Sequence, residues 1–162
     1  MLLCDYIYHE SKKGLEMHVR KIDEEVSLVK YYPNYARTLE WYQDLDVCKQ
    51  VDNRDEAYDL ELLKRMYRYL NRKGQLFYIK YRNRLCGDVC LQYSGEINIV
   101  ISKPYQNRHI GRRVINEIIK IAKENGYKEL HAQIYAFNHQ SQRMFKSVGF
   151  EKADHDKYFL IF

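Results

Sequence analysis

The stretch QLFYIKYRNRLCGDVCLQYSGEINIVIS, residues 75–102, constrains the fold of this chain more than any other segment. Turn-forming residues interrupt its apolar and aromatic residues at two places, at Asn83 and at Ser94 with Gly95. Such residues favour the tight turns that connect neighbouring strands of one sheet. The sequence therefore predicts three consecutive strands that pair antiparallel.

Helices and further strands are predicted on both sides of this meander. Residues 55–74 carry leucines, a methionine and a tyrosine at helical spacing and end at Gly74, and residues 111–125 repeat the pattern before Gly126. Further strands are predicted at 16–22, 128–136 and 157–162, and further helices at 35–44 and 138–150. This order of elements predicts an α+β fold.

Length and composition are those of one compact domain. The 162 residues are 46% hydrophobic, and two prolines and seven glycines leave no flexible linker, so a single domain over 1–162 is predicted. No apolar run reaches the roughly 18 residues of a membrane-spanning helix. Asp5 also interrupts the apolar N-terminus too early for a signal sequence. We therefore expect a cytoplasmic protein without a membrane partner.

Neither the cysteines nor the net charge predicts a metal or nucleic-acid site. Cys4, Cys48, Cys86 and Cys90 lack the paired C-x-x-C spacing of zinc ligands and are interpreted as reduced, structural thiols. The 27 basic and 22 acidic residues give a net charge of +5, which favours anionic partners only weakly. Basic and aromatic residues do not alternate on one predicted sheet face, so no nucleic-acid partner is expected.

The stretch SKPYQNRHIGRRVINEII, residues 102–119, joins a predicted strand to a predicted helix and has no acid before Glu117. It carries four cations: Lys103, Arg108, Arg112 and Arg113. Amides at such a turn and in the first turn of a helix form an anion site, and Gly111 lets a ligand approach the backbone. An ordinary basic helix start is the alternative, but cations there oppose the helix dipole. The stretch therefore indicates a phosphate-bearing ligand.

A second pattern, NHQSQRMFKSVGF at 138–150, places Asn138, Ser141 and Phe145 close to one helical stripe. Together the two patterns resemble the GNAT superfamily of acetyl-coenzyme A dependent N-acetyltransferases. The phosphate loop of that family reads Gln/Arg-x-x-Gly-x-Gly/Ala, which residues 106–111 match except for His109 at the first glycine. Its later helix reads Asn-x-x-Ala-x-x-x-Tyr-x-x-x-Gly-Phe, which this chain matches with serine for alanine and phenylalanine for tyrosine.

The resemblance implies a mixed, mostly antiparallel central sheet flanked by helices, with a splayed pair of parallel strands. It implies acetyl-coenzyme A as co-substrate in that opening, without a metal, with pantetheine on the strand edge at 98–102 and pyrophosphate on the amides of 108–112. The cofactor-binding residues that it implies are Ile99, Val100, Ile101, Gln106, Asn107, Arg108, His109, Ile110, Gly111, Arg112, Asn138, Ser141 and Phe145. Histidine tolerates the left-handed backbone conformation better than most residues, and its ring is an alternative phosphate ligand.

Direct acyl transfer requires a neutral amine, a polarised thioester and a thiolate that can leave. Glu96 stands where many relatives carry a base or a water-bridged carboxylate, and Asp88 on the neighbouring strand is a second candidate base. Each is alternatively a structural or surface acid. Because Phe145 replaces the usual tyrosine acid, another tyrosine substitutes for it or the thiolate leaves without an acid. The candidate substitutes are Tyr135, Tyr105 and Tyr158.

The acceptor is predicted only by class. The resemblance places it beside the first two helices and the last hairpin, near a set of aromatic and acidic residues. These are Trp41, Tyr42, Asp44, Asp46, Asp52, Asp55 and Glu56. The acids would attract a polycationic amine such as an aminoglycoside, or they serve as helix caps and solvated surface. Relatives also modify protein N-termini, so fold does not choose the acceptor.

The predicted function is transfer of an acetyl group from acetyl-coenzyme A to a primary amine, on a small molecule or a protein N-terminus. A non-catalytic acyl-coenzyme A sensor is the main alternative, motivated by Phe145 and His109. A nucleic-acid binder, motivated by the net charge and the arginines, is a weaker one. A homodimer is compatible with such a fold.

Overall fold

The computed structural model describes residues 19–162 and confirms an α+β fold. In chain order its elements are β1 (Val19–Lys21), β2 (Val26–Lys30), α1 (Tyr35–Thr38), α2 (Leu45–Asp52), α3 (Leu60–Lys73), β3 (Gly74–Tyr81), β4 (Arg84–Gln92), β5 (Ile97–Ile101), α4 (Ile110–Glu124), β6 (Glu129–Gln133), α5 (His139–Ser147), β7 (Glu151–Lys152) and β8 (Lys157–Ile161). Short 3-10 segments at Leu39–Gln43 and Lys103–Tyr105 complete the chain. Of the strand predicted at 16–22, residues 16–18 lie outside the described residues.

The predicted meander is confirmed as β3, β4 and β5, which pair antiparallel in sequence order. Arg82 and Asn83 connect β3 to β4 and have φ angles of 47° and 67°. Two consecutive positive φ angles are the signature of a type I′ hairpin turn, whose twist matches that of the strands. Strands β1 and β2 extend the sheet, whose order is β1-β2-β3-β4-β5.

The predicted helices at 111–125 and 138–150 are confirmed as α4 and α5, but the helix predicted at 55–74 begins later. Asp59 caps α3 by accepting a hydrogen bond from the amide of Leu62 at 2.7 Å, so residues 55–58 are not helical. Gly74 ends α3 as predicted, with its amide donating to the Leu70 carbonyl oxygen, and it has a second role. It is the first residue of β3, and a Cβ there would lie 2.5 Å from the Cα of Gln92.

A second, three-stranded sheet has the order β6-β8-β7. It meets the first sheet at one parallel bridge between Glu96 and His131, where the His131 amide donates to the Gly95 carbonyl oxygen at 3.0 Å. This bridge is the only parallel β contact among residues 19–162, and β5 and β6 form no ladder beyond it. The predicted pair of splayed parallel strands is thus confirmed.

Each face of the large sheet is covered by helices. Isoleucine-rich α4 packs on one face, where Ile115, Ile118 and Val89 are fully buried in the core. The opposite face carries a tyrosine-rich core under α2 and α3, which includes Tyr42, Tyr67 and Tyr78. Among the described residues, no helix has both the length and the apolar composition needed to cross a membrane.

We expect Gly74→Ala to lower the free energy of unfolding by about 1 to 3 kcal/mol, measured by urea denaturation, because the new methyl group meets rigid backbone of β4. The Leu91 carbonyl oxygen and the Gln92 Cα stand in its way. Gly111→Ala is the control, since the nearest atom to its new Cβ would be the Met144 Cε at 3.6 Å, an ordinary contact distance. Equal stability of the native protein and Gly74→Ala would contradict the packing role of this glycine.

Candidate active site

A cavity of about 930 Å³ lies where β5 and β6 part. All of the predicted cofactor residues and two of the predicted catalytic ones line it: Asp88, Glu96, Ile99, Val100, Ile101, Gln106, Asn107, Arg108, His109, Ile110, Gly111, Arg112, Asn138, Ser141 and Phe145. Tyr135 is not among the lining residues; it is half-buried and its ring stacks on Phe137, with 5.5 Å between centroids. Tyr105 lines the cavity, whereas Tyr158 is buried in the core.

The edge of β5 that faces this cavity carries unpaired backbone groups. The amide of Ser102 donates to Cys86 and that of Gln92 to Glu96, each at 2.8 Å, which fixes the even-numbered residues of β5 as the hydrogen-bonded partners of β4. The amides and carbonyls of the odd-numbered residues must therefore point away from β4, toward β6. The Gln106 side chain accordingly donates to the Ile101 carbonyl oxygen at 2.9 Å.

Backbone groups alternate in direction along β5, so only the odd-numbered residues of the predicted binding edge at 98–102 can offer amides and carbonyls to a ligand. Ile99 presents its amide and carbonyl to the opening, whereas Val100 lies opposite Asp88 and exchanges its backbone hydrogen bonds with β4. Val100 therefore reaches the cavity through its side chain alone, on the tyrosine-rich face of the sheet.

The turn before α4 forms a concave row of amides. Asn107 and His109 have φ angles of 61° and 58°, so both lie in the left-handed region on either side of Arg108. His109 therefore adopts at the family's glycine position a conformation that glycine adopts more readily. The first helical amide to find a helical acceptor is that of Arg113, bonded to the His109 carbonyl at 3.3 Å. The preceding amides are the unpaired donors of a helix N-terminus.

Two of the four predicted cations are neutralised by protein carboxylates. Lys103 pairs with Asp46 at 2.8 Å, and Arg113 pairs with Asp23 and Glu25 at 3.1 and 3.0 Å. Arg108 and Arg112 have no carboxylate within 4.0 Å among residues 19–162. The Arg108 guanidinium instead lies over the rings of Tyr105 and Tyr81, at 5.7 and 5.9 Å from their centroids. Arg108 and Arg112 are therefore the cations available to an anion at this turn.

Asp88 is buried in the opposite wall of the cavity, only 2% exposed, beneath α3. The hydroxyl groups of Tyr42 and Tyr67 each donate to its Oδ2 at 2.8 Å. Burial raises the pKa of the Asp88 carboxyl from 3.8 to about 6, although the two hydroxyl hydrogen bonds oppose this rise. A carboxyl group with such a pKa is a competent proton acceptor near neutral pH.

Glu96 is half-buried at the bridge between the two sheets, where it also lines the cavity. Its Oε1 accepts from the Asn98 side-chain amide at 3.4 Å, and the Gln92 side-chain amide donates to the Asn98 Oδ1 at 2.7 Å. Gln92, Glu96 and Asn98 are even-numbered, so these side chains share the face of the sheet that carries Asp88. Both candidate bases therefore lie on the same face of the sheet, the face that carries the tyrosine-rich core.

The predicted helix residues of α5 also have structural contacts. The buried Asn138 caps α5 by accepting from the Ser141 amide at 3.2 Å. Phe145 is 2% exposed and packs edge-on against Phe150, with 5.1 Å between ring centroids. No hydroxyl group replaces that of the family's tyrosine at this position.

Most acids expected to attract a polycationic acceptor are engaged in structure. The Asp44 carboxylate caps α2, Asp46 pairs with Lys103, and Asp55 pairs with Lys49 at 3.2 Å. Asp52 accepts a hydrogen bond from the Tyr58 hydroxyl. This pattern favours the interpretation of these residues as caps and surface acids.

The helix α2 was not predicted from the sequence, and it forms part of the cavity wall. The side chains from this region and α3 that line the cavity are Val47, Gln50, Val51, Tyr58, Leu62, Arg65, Met66, Tyr69 and Leu70. The sequence does contain features that indicate α2, because Asp44 is a typical N-cap residue and Val47 and Val51 follow at a helical spacing of four.

Comparison with known proteins gives a family and a fold. A family model described as the acetyltransferase (GNAT) family matches residues 38–150. An uncharacterized protein of Methanocaldococcus jannaschii is 40% identical over 59 residues, which span 36% of this chain and 12% of that protein.

Two solved structures share the fold at low sequence identity. An acetyl transferase from Salmonella typhimurium, which modifies the N-terminal serine of a 50S ribosomal subunit protein, is 10% identical with a TM-score of 0.71, over 89% of this chain and 99% of that one. Spermidine N-acetyltransferase from Vibrio cholerae, in complex with coenzyme A and spermine, is 12% identical with a TM-score of 0.71, over 86% and 96%.

The raised pKa of Asp88 predicts a pH dependence of stability. The contribution of protonated Asp88 to the free energy of unfolding is fully present below the pKa of the unfolded chain, near 3.8, and is lost as the pH rises through about 6. The stability of the native protein relative to Asp88→Asn should therefore fall by about 2 kcal/mol between pH 4 and pH 7 and stay level above, because one pKa unit corresponds to about 1.4 kcal/mol. Urea denaturation at a series of pH values measures this.

Tyr42→Phe is the matched control for this titration. It removes one of the hydrogen bonds that lower the Asp88 pKa, so the loss of stability should extend to higher pH. Parallel stability curves for the native protein and Asp88→Asn would show that Asp88 does not titrate in this range.

Proposed function

Because the chain belongs to the GNAT acetyltransferase family, we propose that it transfers an acetyl group directly from acetyl-coenzyme A to a primary amine. The observation that carries this proposal is that two groups of unpaired donors line one cavity. The first is the Ile99 edge of β5, and the second is the amide row at 107–112, flanked by Arg108 and Arg112.

The phosphate end fits this co-substrate in shape and in charge. Amides at a helix start, two unneutralised guanidinium groups and a glycine without a side chain match the needs of a pyrophosphate. A Cβ at position 111 would meet side-chain atoms of Met144 and Ile101 at 3.6 to 4.0 Å, which is ordinary contact, so packing within the protein does not require glycine there. Gly111 lines the cavity, and the absence of a side chain leaves its backbone accessible to a ligand.

The proposed chemistry requires only groups that the cavity lining contains. The amine nitrogen attacks the thioester carbonyl carbon, whose oxygen accepts from the β5 edge amide of Ile99. The carbon–sulfur bond then breaks and the thiolate leaves, taking up a proton from solvent or from the amine. Asp88 or Glu96 accepts the proton that the ammonium form of the acceptor must lose, directly or through water.

The absence of a hydroxyl at Phe145 gives the second candidate its support. A module that binds acyl-coenzyme A without turnover would retain the amide row and the two arginines and would need no acid at this position. Holding amine and thioester in attack geometry supplies about 7 to 11 kcal/mol, so an enzyme also tolerates the loss. We therefore retain the enzyme as the proposal, tested by a screen of primary amines with acetyl-coenzyme A and a free-thiol readout.

We expect Gly111→Val to weaken coenzyme A binding by roughly tenfold or more, because a clash of about 1.4 kcal/mol already has that effect. The added methyl groups would occupy the space proposed for the pyrophosphate. Calorimetric titration of the folded variant measures the affinity. Asn116→Val, on the exposed side of the same helix, is the control for the helix propensity of valine. Unchanged affinity in Gly111→Val would place the phosphates elsewhere.

The pH dependence of kcat tests the catalytic assignments. Glu96→Gln should lower kcat by roughly 10² to 10⁴-fold near neutral pH if Glu96 is the base, with partial recovery at high pH, where more of the amine is already neutral. Asp88→Asn should do so instead if Asp88 is the base. Phe145→Tyr should raise kcat if its new hydroxyl group reaches the leaving sulfur.

The outcomes of these profiles separate the two candidate functions. A native protein without turnover that gains activity in Phe145→Tyr would support the binding module. Identical profiles for the native protein and all three variants would remove these positions from the mechanism.

A further inference from the structure

The acceptor end of the cavity continues into a groove beside α3. A second cavity, of about 610 Å³, shares Tyr69, Gln92 and Glu96 with the first. Arg72 and Lys73 line this second cavity, and Arg65 lines the first. The two cavities therefore form one path that passes Glu96 and follows α3 out to solvent.

Cations dominate the α3 side of this path. Arg65 and Arg72 are seven residues apart on the same side of the helix, and they line the first and the second cavity, respectively. Arg68 lies beside them on the helix surface and lines neither cavity. In the part of the chain that the structure describes, no carboxylate lies within 4.0 Å of these three guanidinium groups or of Lys73. Lys64, on the same helix, pairs with Glu61 at 3.9 Å.

The helix dipole explains only part of this pattern. Arg72 and Lys73 lie in the last turn of α3, where cations stabilise the negative end of the dipole. Arg65 and Arg68 lie in the middle of the helix, where the dipole gives no such benefit. Asp52 and Glu96 are carboxylates near the path, and each accepts a hydrogen bond from a neutral group, from Tyr58 and Asn98, without pairing with these cations.

The distance between Arg65 and Arg72 indicates whether the ligand is a small anion or an extended polypeptide. Arg65 and Arg72 are seven residues apart, which corresponds to about 10 Å along a helix axis. An extended polypeptide advances about 3.3 Å per residue, so roughly three residues cover this distance. A single carboxylate or phosphate group cannot contact all of these cations at once. Tyr69 and Tyr93, both exposed, add aromatic surface beside these cations.

We propose that the acceptor is the N-terminus of an acidic polypeptide, with its amine beside Glu96 and its first acidic side chains along Arg65, Arg72 and Lys73. This inference rests on the proposed acetyl transfer. An α-amino group suits it better than a lysine side chain, because its pKa of about 8 leaves far more neutral amine at pH 7. A polycationic amine is disfavoured, since it would meet the unpaired cations.

The test compares three synthetic octapeptides with the same free N-terminal serine and with aspartate, asparagine or arginine at the third, fourth and sixth positions. Free thiol is measured at saturating acetyl-coenzyme A. We expect the aspartate peptide to have a kcat/KM roughly tenfold above that of the asparagine peptide, with the arginine peptide lowest. The ratio of kcat/KM for the aspartate peptide to kcat/KM for the asparagine peptide should fall as the salt concentration is raised. The same peptide with a blocked N-terminus and one internal lysine should be a poor acceptor.

Variants connect this preference to α3. Arg65→Gln with Arg72→Gln should lower the aspartate-to-asparagine ratio roughly threefold to tenfold, mainly through KM. Lys128→Gln with Lys152→Gln removes the same charge from exposed positions outside both cavities and should leave the ratio unchanged. Coenzyme A affinity, measured by calorimetry, should be equal in all of these proteins.

Two different failures are distinguishable. If the three peptides react equally, or none reacts while small amines from the screen do, the acidic acceptor is wrong and acetyl transfer stands. If coenzyme A binds but no thiol is released with either the peptides or the small amines, the proposed acetyl transfer is wrong. The proposed acceptor, which depends on that transfer, is then wrong as well.

Discussion

At Glu96 and His131 the two sheets share one parallel bridge, and β5 and β6 separate beyond it. Gly95 makes this junction possible: its φ angle is 92°, its carbonyl accepts from the His131 amide, and a Cβ there would lie 3.0 Å from the Glu129 carbonyl oxygen. An edge of unpaired amides inside a protein is normally unfavourable. Here the unpaired edge lines a cavity, so a ligand can supply the missing partners.

The two-residue alternation of β5 divides the cavity into two chemical environments. Odd-numbered Ile99 and Ile101 turn their backbone groups to the opening and their side chains to the isoleucine-rich core under α4. Even-numbered Glu96, Asn98 and Val100 turn their side chains to the face that carries Asp88. One short strand thus separates the proposed cofactor site from the proposed acceptor site while remaining in contact with both.

The sequence predicted those parts of the molecule that depend on local patterns. Turn residues identified the meander, and Gly126 with the apolar spacing of α4 identified the longest helix. Contacts between distant residues were not accessible in this way. Gly74 ends α3 as its position predicted, but its extended conformation and its close packing against β4 were not predictable from its neighbours in sequence. Likewise, ion pairs with Asp46, Asp23 and Glu25 decide which cations remain available to an anion, and sequence spacing gives no indication of them.

The tyrosines have a comparable long-range explanation. The chain has sixteen, and several surround Asp88: Tyr42 and Tyr67 donate to its carboxylate, and Tyr31 and Tyr78 pack against Tyr67 at centroid distances of 5.2 and 6.1 Å. A phenol ring contributes apolar packing and also supplies a hydroxyl donor, so it suits a core that encloses a carboxylate.

Such a carboxylate is costly to keep, because burial disfavours its charged form and an uncharged residue would accept the same hydrogen bonds at less cost to stability. Its position in the cavity wall, on the face shared with Glu96, is the one that the proposed role in proton transfer requires. Two tyrosine donors then serve a definite purpose. They hold the Asp88 carboxyl in one orientation and keep its pKa near neutral pH, where a proton can be gained and lost, rather than far above it.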